Sequence, residues 1–136
     1  MLFRSYVSAY LGNIDSVTGS IDVLAGEYGL YDSSAYLGIN GANLDYVNVY
    51  LATYDDSAMV SLDLTNVSGH IYSLDVATYY YSSYASAYIS GDVTIEGSHD
   101  YGYNHMYLLA WGNDSSAYLT LDGTTTFDST DVLVNA

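Results

Sequence analysis

Residues 57–64 read Ser-Ala-Met-Val-Ser-Leu-Asp-Leu, and this stretch decides the fold prediction. Every even position from 58 to 64 is apolar, so these side chains would lie together on one face of an extended strand. Met59, Ser61 and Asp63 would lie on the other face. A period of two is typical of a β-strand that packs one face against a core.

The opening of this stretch recurs along the chain. The motif Ser-Ala-Tyr-Leu begins at Ser8, Ser34 and Ser116, and close variants begin at Ser57 and Ser86. Successive starts are 26, 23, 29 and 30 residues apart. Recurrence at such intervals indicates a chain built from repeated structural units. We therefore predict one repetitive β domain over residues 1–136, with repeats that begin near these serines.

Each repeat also contains a second strand of different character. In these strands the residues on both faces are largely apolar, as in Ile21–Leu24, Val47–Ala52 and Met106–Trp111. Strands of this kind are usually covered on both faces. The cover would come either from a second sheet of the same chain or from another subunit. Turn dipeptides such as Asn40-Gly41 and Ser68-Gly69 separate the strands, and no sustained helical spacing is present.

Two all-β architectures fit this pattern. The first is a repetitive β-solenoid of about five irregular coils, in which each repeat forms one coil. The second is an antiparallel β-sandwich or meander of about ten strands, because turn signals recur at short spacing. We favour the solenoid because the motif recurs. Its coils would align one outer ladder, which consists of Tyr10, Tyr36, Met59, Tyr88 and Tyr118.

The rhythm of short strand, Gly or Asn turn and short strand from Ser34 to Gly97 resembles a known class of repetitive proteins. It is similar to the β-solenoid stalks of bacterial surface adhesins of the filamentous-haemagglutinin type. The resemblance concerns periodicity. It implies a parallel solenoid and a location at the cell surface.

The charge balance excludes several classes of partner. Sixteen carboxylates stand against Arg4 as the only Lys or Arg, which gives a formal net charge of -15. Nucleic acid is excluded as a partner because phosphate binding requires basic side chains. We expect no membrane insertion, since no apolar run approaches the roughly 18 residues of a spanning helix. High salt, bound cations or an acidic medium would relieve the repulsion between the carboxylates.

Tyrosine is the most unusual component, with 18 residues against two Phe and one Trp. Tyrosine suits protein interfaces because it offers a large amphipathic surface at low entropic cost. It is also a good strand former, and carbohydrate stacking is a third use. Arg4 lies in a strand candidate, Phe3–Val7, that could be donated to a neighbouring subunit. The candidate self-association residues are Arg4, Tyr10, Tyr36, Tyr50, Tyr79, Tyr80, Tyr81, Tyr84, Tyr88, Trp111 and Tyr118.

Motifs that would indicate catalysis are weak or absent. The segment His99–His105 offers two imidazoles and a carboxylate, but its spacing matches no standard metal site and reads as a loop. There is no cysteine, no Gly-x-Ser-x-Gly motif and no calcium-binding loop pattern. We therefore predict no enzyme, and no catalytic, cofactor-binding or metal-binding residues. Asn66 and Asn113 match the N-glycosylation sequon and lie in predicted turns.

These observations together predict an extracellular or cell-surface structural protein. It would self-assemble into a filament or surface layer through β-strand and tyrosine-rich contacts. Its main partner would be further copies of itself, with cations or glycans as further candidates. The alternative is a monomeric β module that binds carbohydrate or ice.

Overall fold

The computed structural model describes residues 5–26, 32–96, 105–128 and 130–136, and the regular elements in these segments are all β-strands. Arg4, Phe3 and most of the segment His99–His105 lie outside the described residues. The strands are β1 (Tyr6–Gly12), β2 (Ser16–Ala25), β3 (Ser34–Asn40), β4 (Asn43–Thr53), β5 (Met59–Thr78), β6 (Tyr84–Ile95), β7 (His105–Ala110), β8 (Ser116–Phe127) and β9 (Asp131–Asn135).

The strands pair in parallel and stack as a β-solenoid of about four turns. The predicted solenoid is therefore confirmed, and the antiparallel alternative is wrong. The pairings run from β1 to β3, to β5, to β6 and to β8. The chain thus returns four times to the side on which it began, which places strands on this side in five successive layers. The sequence predicted about five coils because each of the five repeats was counted as a full turn. Five layers on one side correspond to about four full turns.

Strand β5 passes over all three sides of the solenoid. Its residues 59–64 pair with β3 and β6, and we call this side the first face. Residues 67–71 pair with residues 91–95 of β6, and these form the second face. Residues 74–78 pair with β4 and β7, and these form the third face. Strands β2 and β9 are the outermost strands of the third face.

The corner between the first and second faces depends on backbone with positive φ. Asn13, Gly41 and Asn66 take this conformation in the first three turns, with φ of 55°, 70° and 52°. Asn and Gly are the residues that tolerate it best. The amide N–H of Asn13 donates to Asn40 in the next turn, and that of Gly41 donates to Thr65. The predicted turn at Asn40-Gly41 is confirmed.

The corner that leads from the third face to the next first face is also repeated. Residues 54–58, 79–83 and 111–115 connect these faces with equal length. Ser57, Ser82 and Asp114 lie at the same place in each and have φ of 57°, 55° and 60°. The amide of Ser57 donates to the carbonyl of Tyr81, and the amide of Ser82 donates to that of Asn113. These bonds continue the strand ladder through the corner.

The interior contains one continuous apolar cluster formed by the inward-pointing residues of all three faces. On the first face Leu37, Leu62 and Ala87 stack in successive turns, and all three are buried. On the third face Leu51, Val76 and Leu108 stack in the same way and are buried. Full burial of each large apolar side chain contributes about 1.5–3 kcal/mol to the free energy of unfolding. These columns are therefore the main source of stability.

Candidate self-association surfaces

The outer side of the first face carries three columns of side chains, each with one residue per layer. The strand pairings fix their composition. From the first layer to the last, the columns are Tyr6, Ser34, Met59, Tyr84 and Ser116; Ser8, Tyr36, Ser61, Ser86 and Tyr118; and Tyr10, Gly38, Asp63, Tyr88 and Thr120. We call this set the tyrosine face.

The predicted single ladder of Tyr10, Tyr36, Met59, Tyr88 and Tyr118 is wrong. The motif copies at Ser34 and Ser116 share one register, whereas those at Ser8 and Ser86 lie two residues further along their strands. The copy at Ser57 lies two residues earlier. A shift of two residues keeps the same side chains inside, so the hydrophobic pattern cannot detect it.

The real register keeps tyrosines apart within each column. Neighbours of Tyr36 in its column are Ser8 and Ser61, and neighbours of Tyr88 are Asp63 and Thr120. In these three columns no tyrosine directly faces another. The rings contact across columns instead: Tyr84 and Tyr118 have centroids 5.5 Å apart, with ring planes tilted by 32°.

Gly38 provides the space that two of these rings occupy. A Cβ at this position would lie 2.7 Å from the Tyr36 hydroxyl and 2.9 Å from Cδ2 of Tyr10. These distances are shorter than van der Waals contact, so both rings lean over the glycine. A groove lined by Tyr10, Tyr36, Asn40 and Asp63 results.

The groove also contains polar groups in defined contacts. Thr65 donates a hydrogen bond of 2.6 Å from its hydroxyl to Asp63. The pKa of Tyr36 is raised, first by burial and then by the nearby negative charge of Asp63. The groove therefore combines aromatic rings, a carboxylate and an amide, which are groups that can bind polar hydroxyl-bearing ligands.

A second group of tyrosines lies on the outer side of the third face. The hydroxyl oxygens of Tyr50 and Tyr54 are 2.6 Å apart. The rings of Tyr54 and Tyr79 stack with centroids 5.1 Å apart and planes at 11°. Burial raises the pKa of Tyr50 far above its usual value, and hydrogen bonds with Tyr54 and Tyr79 add to the increase. Tyr50 and Tyr79 are thus both held by contacts with Tyr54 of the same chain.

The single chain covers the outer side of the third face in its middle turns. Ala52 and Ala77 point outward beside this tyrosine group, yet they are only 0% and 2% exposed. The doubly apolar strand pattern therefore needs no second sheet and no other subunit in these turns. Leu24 on the same outer column is 48% exposed because it lies in the first turn.

The aromatic residues at the corner between the third and first faces differ in exposure. Tyr81 and Trp111 are 59% and 62% exposed, whereas Tyr80 is partly buried. Tyr79 and Trp111 follow the third-face strand at equivalent places, since their amides donate to Thr53 and Thr78 in the preceding turns. Of the candidate self-association residues at this corner, Tyr81 and Trp111 are the most accessible.

The last turn exposes positions that are core positions in every preceding middle turn. Leu121 is 41% exposed, whereas Ile89 directly opposite it is at 0%. Val132 and Val134 are each 43% exposed, whereas Met106 and Leu108 opposite them are at 0%. In the first turn, the inner residues Val7, Ala9, Leu11 and Ile21 are partly buried. Both ends of the described solenoid thus present apolar core positions.

The carboxylates are spaced so that none faces another in the strand pairings of the described residues. Asp22 and Asp75 lie on one outer column with Tyr50 between them. Asp63 faces Gly38 on one side and Tyr88 on the other. Two unit charges one strand spacing apart would repel by about 1 kcal/mol even in bulk water. This spacing limits the electrostatic repulsion between neighbouring strands.

Other candidate residues are placed as follows. Asn66 and Asn113 of the two glycosylation sequons are both exposed; Asn113 lies in a turn, whereas Asn66 lies at a corner within β5. Tyr6 and Val7 of the predicted donated strand pair with Ser34 and Ala35 of the same chain. In the part of the chain that the structure describes, no group of three or more His, Asp or Glu side chains is arranged to hold a metal ion.

The sequence pattern did not predict two features, the contacts of His70 with Tyr46 and Glu96 and the position of Tyr6. The ring of His70 stacks on Tyr46 at 5.0 Å, and its Nδ1 lies 2.6 Å from Oε1 of Glu96. Tyr6, at 71% exposure, belongs to the tyrosine face. A correct register for the first motif copy would have revealed Tyr6.

Comparisons with known proteins give no family assignment. No protein-family model matches the chain, and searches of curated proteins and of solved structures found no match. Within the described segments, no helix is long and apolar enough to cross a membrane.

Proposed function

We propose that this protein is an extracellular structural protein that self-assembles into a filament or surface layer. The observation that carries the proposal is the exposure of Leu121, Val132 and Val134 at core positions of the last turn. Burial of these side chains against another molecule would be favourable at about 25 cal/mol per Å² of apolar surface. The assembly would use strand edges and the tyrosine face.

The edge strands carry few of the features that usually prevent association. Natural edge strands are guarded by Lys, Pro or inward-pointing charges. The whole chain contains no Lys and no Pro, and the inner positions of β8 and β9 include Leu121, Val132 and Val134. An unguarded parallel edge with apolar inner positions favours addition of another strand.

The proposal includes a location at the cell surface and a role in adhesion. The strand rhythm resembles the stalks of filamentous-haemagglutinin-type adhesins, and the parallel solenoid is consistent with that resemblance. The net charge of -15 would be tolerated in a saline or acidic environment outside the cell. We therefore place the assembly at the cell surface, with adhesion as its role.

The first test is negative-stain electron microscopy of the purified protein at pH 3 and at pH 7 in physiological salt. Filaments or sheets would support the proposal. A preference for acid would implicate carboxylate protonation, because most Asp side chains are neutral below about pH 3. Uniform single particles under both conditions would contradict it.

A carbohydrate-binding module is the second candidate, and the groove beside Gly38 favours it. Tyr10 is 64% exposed there, and Asp63 and Asn40 line the same groove. A stacking ring with nearby polar groups is suited to a sugar. A glycan array followed by calorimetry would test it, with Tyr10→Ser expected to abolish binding. Tyr118→Ser on a neighbouring column is the matched control and should bind normally.

A further inference from the structure

We propose that copies stack head to tail in one defined register. The last turn of one copy packs on the first turn of the next, with Ser116 opposite Tyr6, Tyr118 opposite Ser8 and Thr120 opposite Tyr10. This interface rests on the proposed self-assembly and specifies its partner edges and its register. The contact continues the parallel ladder by one further layer.

The outer columns support this register. Inside the chain, every tyrosine of the tyrosine face has only non-tyrosine neighbours in its column, most of them small. The proposed junction keeps that rule, because each of its three outer pairs joins one tyrosine to a Ser or Thr. A shift of two residues along the strand would instead place Tyr118 opposite Tyr6 or Tyr10.

The exposures on this face agree with a missing neighbour at each end. Tyr6 and Tyr10 in the first layer are 71% and 64% exposed, and Tyr118 in the last layer is 55% exposed. Tyr84 in the fourth layer is at 40%, and Tyr36 and Tyr88 are partly buried. The end layers therefore carry the tyrosine surface that a second copy would cover.

The inner positions of the two ends are also complementary. In the same register Ala117 faces Val7, Leu119 faces Ala9 and Leu121 faces Leu11. Equivalent pairs already occur inside the chain, where Val7 faces Ala35, Ala9 faces Leu37 and Leu11 faces Ile39. The junction reproduces the combinations of small and large side chains that pack the existing core.

Across the proposed junction, the strands of the third face would pair in a register compatible with that of the first face. Val132 would face Ile21 and Val134 would face Val23, which again joins inner positions to inner positions. Asp22 would face Leu133, so the junction places no carboxylate opposite another on these columns. A head-to-tail contact of this type leaves a free end on each new copy, so it produces an open filament.

Engineered cysteines test the register directly, because the chain has no cysteine of its own. Directly opposite residues on neighbouring strands have Cα atoms about 4.8 Å apart, which suits a disulfide. The variant S8C/Y118C should therefore form a ladder of covalent oligomers under mild oxidation. The matched control S8C/T120C lies about 8 Å apart across the same junction, beyond disulfide reach. It should remain mainly monomeric on a non-reducing gel.

A second pair keeps the test valid if one variant folds poorly. Y6C/S116C uses the same junction and should also give a ladder. Equal cross-linking of S8C/T120C would overturn the register. Dimers formed by Y118C alone would show that two last turns meet tail to tail, which also overturns it.

Microscopy of the unmodified protein separates this inference from the proposed function. Filaments without cross-links in either in-register pair would contradict only the register. Absence of filaments together with absence of cross-links would contradict both.

Discussion

Gly91 packs directly against the backbone of Val67 in the preceding turn. A Cβ at Gly91 would overlap the carbonyl oxygen of Val67, and its φ of 127° is unfavourable for any side chain. The contact arises at a bulge, where Thr65 and Asn66 of one turn face a single residue of the next. At this corner the residue with positive φ is therefore Asn66 in the third turn, Gly91 in the next, and Gly123, with φ of 119°, in the last.

Gly91→Ala should destabilise the protein strongly because it combines backbone strain with overlap against main-chain atoms that cannot move aside. We expect a loss of roughly 3 kcal/mol or more in the free energy of unfolding. Urea denaturation followed by circular dichroism measures it.

Gly19→Ala is the matched control for the first prediction. Gly19 also has positive φ, at 92°, but a Cβ there would meet no atom within 4 Å. Its replacement should cost only about 1–2 kcal/mol from backbone strain. Equal losses for the two variants would show that the contact with Val67 is not responsible.

Stability should fall in alkaline solution because of Tyr50. Burial and hydrogen bonds raise its pKa in the folded protein, whereas the unfolded chain has the ordinary value near 10. The unfolded state therefore loses this proton first. The stabilising contribution is fully present below about pH 10 and is lost as the pH rises above that value. Denaturant titrations between pH 8 and pH 12, at roughly unit intervals, measure this loss.

Tyr50→Phe should reduce the alkaline dependence because it removes the ionising group. Tyr54→Phe is the control, since it removes the same hydrogen bond of 2.6 Å but keeps Tyr50. Both variants should be less stable at neutral pH by about 1 kcal/mol. An unchanged alkaline dependence in Tyr50→Phe would contradict the assignment to this residue.

The alternation around residues 58–64 was sufficient to predict strands and inner positions, and the recurrence of the motif favoured the solenoid over the antiparallel alternative. The alternation could not predict the register, because shifts of two residues leave the inner face unchanged. Turn length decides the register, and corners such as residues 54–58 and 79–83 became countable only once the strand ends were known. Burial of Ala52 and Ala77 was also unpredictable, since it depends on which side chains of the folded chain cover the outer side of the third face.

The apolar end of the last turn should matter for assembly more than for folding. Leu121→Ala removes a side chain that is already 41% exposed, so it should lower the stability of the monomer by only about 1–2 kcal/mol. The same change removes apolar area from the proposed junction and should raise the critical concentration for assembly at least tenfold. Light scattering against protein concentration measures this value.

Leu62→Ala, in another inner column, should affect folding stability more than assembly. Leu62 is 1% exposed in the middle turn, so its truncation should cost about 2–5 kcal/mol of folding stability. While the variant remains folded, its critical concentration should change little. If Leu121→Ala assembles normally, the last turn is not the contact surface.

Asp22 should oppose assembly more than other carboxylates do. It lies in the first turn and would face Leu133 of the next copy in the proposed junction, where its charge loses hydration. Asp22→Asn should therefore lower the critical concentration at pH 7 by about tenfold, corresponding to about 1.4 kcal/mol. Asp92→Asn is the control, because Asp92 is an exposed carboxylate of the second face that lies between Ser68 and Thr124 and therefore not in an end layer. It changes the net charge equally and should have a much smaller effect. Equal effects of the two variants would mean that total charge, rather than the junction, governs assembly.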